Sequence, residues 1–236
     1  METSTPAAPA ASVLIVSGLR REAAILAGAG RFAICGDGPT LRSRLAALTD
    51  THFGIVISWG VCGGLDPRLR PGDLLLGSEV VSADERITTD KAVTSSLMQR
   101  LIDGGVRVTV QRVAGVSAPV STAVAKAELR GATGAAAVEM ESLPAGRFAL
   151  ERRTPFAILR AVADPADRDL PPLVFKAVDS DGGIKTAAVV RDLVRSPGQL
   201  TGLVATAFDS RAAFRALRRC RGLLPGLFLG LGSANL

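Results

Sequence analysis

Phe53-Gly54-Ile55-Val56-Ile57-Ser58 runs directly into Trp59-Gly60-Val61-Cys62-Gly63-Gly64. The first half is a short, continuous, β-branched apolar run, as expected of a strand buried on both faces. The second half reads as a glycine-rich turn at the end of that strand. Working outward, similar runs recur. Val13 to Val16 stops at Gly18, Phe32 to Cys35 at Gly36-Asp37-Gly38, and Phe156 to Val162 at Asp164-Pro165. Asp73 to Val81 and Val106 to Val116 are also strand-like, and Ala136 to Val138 leads into Glu139-Met140-Glu141. Helical patterns lie between them: Arg21 to Ala29, Thr40 (as N-cap) to about Leu48, Ser95 to Asp103, Ser121 to Arg130 and Ser142 to Glu151. Strands alternating with helices predict an α/β fold around a central, mainly parallel sheet. Ligands of such sheets bind beyond the carboxyl ends of the strands. Gly18, Ser58 to Gly64, Glu141 and Asp164 all fall at or just past such ends.

The bulk numbers agree. A chain of 236 residues with 47% hydrophobic and 21% charged residues can bury a substantial core as one large domain. Three widely spaced cysteines, Cys35, Cys62 and Cys220, make neither a disulfide framework nor metal-ligand spacing, and they suggest a reducing, cytoplasmic compartment. The single histidine, His52, precedes a strand, so a Ser-His-Asp triad is excluded and a histidine metal site is not expected. The net charge of +6 permits anionic partners, but basic residues interleaved with aromatics are missing, which argues against nucleic acid. Residues 1–11 are rich in Ala, Pro, Ser and Thr and read as a frayed N-terminus rather than a signal peptide. No segment reaches the roughly 18 consecutive apolar residues of a spanning helix. Residues 165–200 read as a long connection with a short helix at most, and such loops are often binding loops or lids. Leu200 to Leu217 is helical, and Gly222 to Gly232 is an apolar tail. The chain therefore divides into 1–11, a domain over 12–209, and a basic, apolar end over 210–236 carrying Arg211, Arg215, Arg218, Arg219 and Arg221.

Acidic residues at the ends of apolar segments need a partner or a task. Glu22, on the first turn of a helix, either compensates the helix dipole or acts as a base toward water. Glu141 can accept two hydroxyl hydrogen bonds at once, which suits the vicinal hydroxyls of a ribose, or it is a helix N-terminal acid. Glu139 is read as pointing away from Glu141, so that only one of them touches ligand. Asp164-Pro165 is either a turn or the place of a general acid that protonates a departing purine. Gly60 to Gly64 can present backbone N–H groups to an anion or simply form a tight turn. Arg20 can meet phosphate or start a solvated helix.

Five pieces in order, Gly18 to Glu22, Ser58 to Leu65, Arg70-Pro71-Gly72-Asp73, Val138 to Ser142 and Arg160 to Asp164, resemble the nucleoside phosphorylase and nucleosidase superfamily that includes methylthioadenosine/S-adenosylhomocysteine nucleosidase. Within it, Ser17 to Ala23, Ala163 to Arg168 with Leu170-Pro171-Pro172, and the Arg-rich apolar end are similar to the hopanoid-associated phosphorylases. The resemblance implies a three-layer fold with a mixed, mainly parallel sheet. It implies cleavage of adenosylhopane, releasing adenine and giving ribosylhopane or its phosphorylated form. Glu22 then matches the water-activating glutamate, Asp164 the purine-protonating aspartate, and Glu141 the ribose ligand with Met140 against the sugar. Ala118, Pro119 and Val120 flank the base, while Gly18, Arg20, Ser58, Gly63 and Gly64 lie on the nucleophile or phosphate side. No metal or organic cofactor is implied, only phosphate or water as co-substrate. The chain departs from the family at Val61 and Ala163, where hydroxyl residues are frequent, and no aromatic residue lies near Pro119. The resemblance also implies a homo-oligomer. The basic apolar end over 210–236 either touches the inner face of the cytoplasmic membrane or packs on the domain. A soluble methylthioadenosine-type nucleosidase and a non-catalytic nucleoside-binding protein are the competing functions.

Overall fold

The computed structural model describes residues 13–28, 30–176, 178–183 and 200–224. The expected frayed N-terminus and most of the apolar tail lie outside the described residues. The strands are β1 (Val13–Ser17), β2 (Arg31–Cys35), β3 (Ile55–Gly64), β4 (Leu74–Val81), β5 (Arg86–Thr88), β6 (Val108–Gly115), β7 (Ala137–Glu139) and β8 (Phe156–Asp164). The helices are α1 (Arg20–Leu26), α2 (Gly38–Ala46), α3 (Lys91–Asp103), α4 (Ala123–Thr133), α5 (Ser142–Glu151), α6 (Pro172–Lys176) and α7 (Leu200–Arg221).

One mixed, mainly parallel sheet contains all eight strands. β1 joins β2 and β3 in parallel, β3 runs parallel to β8, and β6 is parallel to both β4 and β7. The antiparallel pairs are β3 with β7, β4 with β5, and β4 with β8. These pairings close β3, β8, β4, β6 and β7 into a ring, which protects those strands from edge exposure. Every residue of β8 is buried, as a strand covered on both faces must be.

Two hydrophobic layers flank the sheet. On one face, Ile15, Ile57, Trp59 and Leu159 pack against α1, α3 and α7; on the other, Leu14, Val56, Ile158 and Val162 pack against α2 and α5. Alternate residues of β1, β3 and β8 thus serve opposite cores, because successive strand side chains point to opposite faces. The three-layer α/β expectation holds.

Several local readings are corrected. Trp59 to Gly64 is not a turn: it continues β3, and its glycines admit close neighbours. Asp37, not Thr40, caps α2, accepting from Thr40 N at 2.9 Å, because a carboxylate one turn earlier reaches the free N–H groups. Asp90 likewise starts α3 four residues before the expected helix, accepting from Val93 N at 2.9 Å. Strand β5 was not expected. It has three residues, and only its central Ile87 is buried. Helix α7 runs unbroken across residues 209 and 210, and its Phe214, Leu217 and Cys220 join the domain core. Residues 210–224 therefore belong to the domain, with Arg211, Arg215, Arg218, Arg219 and Arg221 on the exposed side of the helix. Among the described residues no helix is long and apolar enough to cross a membrane.

Candidate active site

The carboxyl ends of β1, β3, β7 and β8 surround a cavity of about 460 Å³. Gly18, Glu22, Gly63, Met140, Glu141 and Asp164 line it, with Pro119 and Val120 on the loop after β6 and Leu170, Val174 and Val178 from the long connection.

Glu22 is the third residue of α1 and is buried. One oxygen reaches back to Leu19 N at 2.8 Å, satisfying a free N–H at the helix start. The other accepts from Val61 N on β3, also at 2.8 Å. Glu22 thus holds the helix start and lines the cavity at once. Burial raises its pKa, opposed by the nearby Arg160 charge and by backbone hydrogen bonds.

Glu141 sits at the start of α5, and the backbone N–H groups of Glu141 and Ser142 donate to Glu139 Oε2 at 2.9 and 2.8 Å. Gly18 makes room for Glu141: a Cβ there would lie 2.6 Å from Glu141 Oε1. The expectation that Glu139 faces away from Glu141 is wrong. Residues two apart on an extended chain share a face, and both carboxylates converge on one guanidinium. Arg160, in the middle of β8, has a fully buried side chain and pairs with Glu139 through Nη2 and with Glu141 Oε2 at 3.1 Å. Gly60 also crowds this spot, since a Cβ there would come within 2.8 Å of both Arg160 Nη1 and the Glu22 carboxyl. One cation thus faces three carboxylates, Glu22 and Glu139 buried and Glu141 partly buried. Burial, then the neighbouring Glu139 and Glu22 charges, push Glu141 up to about 8 despite Arg160.

Asp164 ends β8 beside a register shift between Cys62 and Gly63 in the β3–β8 ladder, an irregularity of the kind that re-aims side chains next to functional sites. Its partner is Lys126 of α4, whose side chain is fully buried, at 2.5 Å. Burial raises the Asp164 pKa and the Lys126 charge opposes the shift.

Four sequence candidates do not line the cavity. Ser58 Oγ is buried behind it, accepting from Arg160 Nη2 at 2.5 Å and bonded to Ser142 Oγ at 2.9 Å. Arg20 turns outward to Asp181 at 3.2 Å, where a solvated carboxylate is the nearer partner. Gly64 pairs with Ala137 of β7, so its backbone belongs to a ladder rather than to an anion cradle. Gly63 lines the cavity but is likewise laddered, to Val138 and Asp164. Ala118 is exposed on the loop beside Pro119. His52 is exposed before β3. No cluster of metal-binding side chains occurs among the described residues.

Sequence reasoning missed Arg160 and Lys126 as members of the site. Arg160 stands at the start of the Arg160 to Asp164 motif, and a charge inside the apolar run Phe156 to Ala163 demands a buried partner. Lys126 carries no comparable signal, because a lysine in an alanine-rich helix ordinarily faces water.

The fold has close counterparts among solved structures. The chain superposes on the 5′-methylthioadenosine/S-adenosylhomocysteine nucleosidase of Helicobacter pylori with a TM-score of 0.68 at 13% identity, covering 92% of this chain and 97% of that one. Futalosine hydrolase of the same organism gives 0.67 at 13% identity over 92% and 97%. The Neisseria meningitidis 5′-methylthioadenosine/S-adenosylhomocysteine nucleosidase gives 0.67 at 15% identity over 94% and 99%. At these identities the likeness concerns the fold alone. No curated protein matches the sequence. The phosphorylase superfamily matches over residues 4–195, most of the chain, and the chain belongs to that superfamily.

Proposed function

We propose that this protein cleaves the N-glycosidic bond of a purine nucleoside with water as the nucleophile. The observation that carries this reading is the convergence of Glu22, Glu141 and Asp164 on one cavity at the strand ends. Glu141 accepts hydrogen bonds from the ribose hydroxyls. Glu22, made more basic by burial, accepts a proton from water as the water oxygen attacks C1′. The C1′–N9 bond breaks, its electron pair goes to the base, and Asp164 delivers a proton to N7 so that the purine leaves neutral. The pKa of Asp164, raised by burial, favours the protonated form this step needs.

Water is favoured over phosphate by the charge of the cavity wall. Glu22, Asp37, Glu139, Glu141, Asp164 and Asp179 line it, and no lysine or arginine does so among the described residues. Among the described residues phosphate would find no cationic side chain on that wall to pair with. Arg20, the sequence candidate for phosphate, is paired with Asp181 instead.

Adenosylhopane is the substrate this reading puts first, with adenine and ribosylhopane as products. The resemblance to hopanoid-associated phosphorylases supports it, as do the apolar wall residues Val116, Leu170, Val174 and Val178. Val204 and Phe208, one turn apart on α7, are 45% and 62% exposed and offer an apolar strip for a lipid-borne substrate at the membrane surface. A homo-oligomer acting at the inner face of the cytoplasmic membrane fits this reading. The second reading is a soluble nucleosidase for methylthioadenosine or S-adenosylhomocysteine. It is favoured by the fold shared with a Helicobacter pylori nucleosidase variant holding 5′-methylthioadenosine in its active site.

The test is adenine release from adenosylhopane and from methylthioadenosine, each with and without phosphate. Release from adenosylhopane without phosphate, leaving a reducing ribose, is expected. Release that requires phosphate would overturn the water assignment. Efficient turnover of methylthioadenosine alone would favour the second reading. No release under any condition would overturn the function, leaving a nucleoside-binding protein.

A further inference from the structure

Lys126 is a buried charge that the proposed chemistry leaves unused. It lies one turn inside α4 and is 0% exposed, an uncommon situation for a lysine. Its ammonium has three donors, and three acceptors meet them: Asp164 Oδ2 at 2.5 Å, Pro165 O at 2.8 Å and Arg168 O at 3.0 Å. The start of α4 grips the same loop twice more. Asp169 Oδ1 accepts from Ala123 N at 2.7 Å, and Leu170 N donates to Ser121 O at 2.7 Å. Asp164 lines the cavity while Lys126 does not, so the lysine holds the carboxyl from behind. Among the described residues no donor meets Asp164 Oδ1.

We infer that Lys126 is a positioning residue for Asp164: it fixes Oδ2, leaves Oδ1 as the oxygen that carries the proton, and stabilises the carboxylate that remains after transfer. This rests on the reading of Asp164 as the proton donor. The C1′–N9 bond breaks with its electrons going to the base, the Oδ1 proton moves to N7, and Lys126 keeps its own protons. After the base has left, Glu22 gives the proton it took from water back to solvent and the Asp164 carboxylate takes one up, so the cycle closes with no net change of charge. A cation beside the conjugate base strengthens the acid and so favours the transfer. The other charges near Asp164 are Arg168 on the loop and Asp209 on α7, which pair with each other and act on it in opposite directions. The Cys62 thiol on β3 stands near it as well, and burial pushes that thiol up.

The test compares wild type with Lys126→Met in two ways. The first is the pH profile of adenine release from a turned-over nucleoside. The second is the carboxyl 13C titration of Asp164, assigned with Asp164→Asn, which needs no activity. Without the lysine, the Asp164 midpoint should rise by about one unit or more. The alkaline limb of kcat/KM should move up with it, because the acid stays protonated to higher pH. The value of kcat should fall at least about tenfold with KM little changed. Should Lys126→Met not fold, Lys126→Gln, which keeps two donors for the carbonyls, is read by the same measures. An unmoved midpoint in a folded variant overturns the inference. If wild type releases no adenine from any nucleoside, the functional reading fails, while the titration still decides whether Lys126 sets the acidity of Asp164.

Discussion

Two buried charge clusters meet at this cavity, and they are built differently. Arg160 faces Glu22, Glu139 and Glu141, one cation among three carboxylates. Lys126 faces Asp164 one to one, with two carbonyls taking its remaining protons. In the first cluster burial raises the pKa of Glu22 and Glu141 against the pull of Arg160, and at Glu141 the Glu139 and Glu22 charges add to the rise. The second is matched in charge, so burial and the lysine pull Asp164 in opposite directions. An Arg–Glu cluster and a Lys–Asp pair thus differ in stoichiometry as well as in residue type. At Glu141, where one cation is shared among three carboxylates, the pKa reaches about 8. A matched pair holds one carboxyl in a fixed orientation.

The sharpest way to break the comparison is Asp164→Asn, which removes the proposed proton donor of the matched pair while keeping its shape. Adenine release should fall by about 10²- to 10⁴-fold, with the thermal midpoint little changed. An equal rate would remove Asp164 from the chemistry. Arg160→Met attacks the other cluster by leaving its three carboxylates without their cation. It should cost about 3–5 kcal/mol in chemical denaturation, and a cost near zero would show that the carboxylates protonate freely.

Ser58→Ala is gentler. It removes one hydroxyl that accepts from Arg160 and touches Ser142, and about 1.5–3 kcal/mol is expected, with activity falling only as far as Arg160 shifts. A loss of activity far beyond the loss of stability would return Ser58 to the ligand side. The smallest effect concerns pH. Glu141 binds a proton more tightly when folded than when unfolded, so its contribution to stability is full below the ordinary value of 4.5 and is lost as pH rises through about 8. Glu141→Gln should flatten stability against pH across that window, measured by thermal melts, while leaving Asp164 titrating. An unchanged slope would place the proton elsewhere in the cluster.

Much of the frame was legible in the chain. β1, β3 and β8 begin as short apolar runs, and Gly18, Gly63 and Asp164 lie at or just past their ends, so the strand-end position of these residues followed from pattern. α5 begins at Ser142 as expected, which placed Glu141 at a helix start. Elsewhere local rules misled. Glycine tolerates turns, so Trp59 to Gly64 read as one, yet here glycine at 60 lets Glu22 and Arg160 approach the strand. β5 was too short and too exposed to show a period. The split at residue 210 followed the arginines, which lie on one side of a helix whose other side is core.

By itself the sequence determined the α/β class, every strand but β5, and the carboxylates Glu22, Glu141 and Asp164 at or just past strand ends, because periodicity and chain breaks are local properties. Only the tertiary structure decided what those carboxylates face. It brought Arg160 to Glu139 and Glu141, and Lys126 across 38 positions to Asp164. It also turned Arg20 away from the cavity and hid Ser58 behind it. A buried charge is bearable only beside an opposite one, and which charges become neighbours depends on how β3, β7, β8 and α4 pack, which no local pattern encodes.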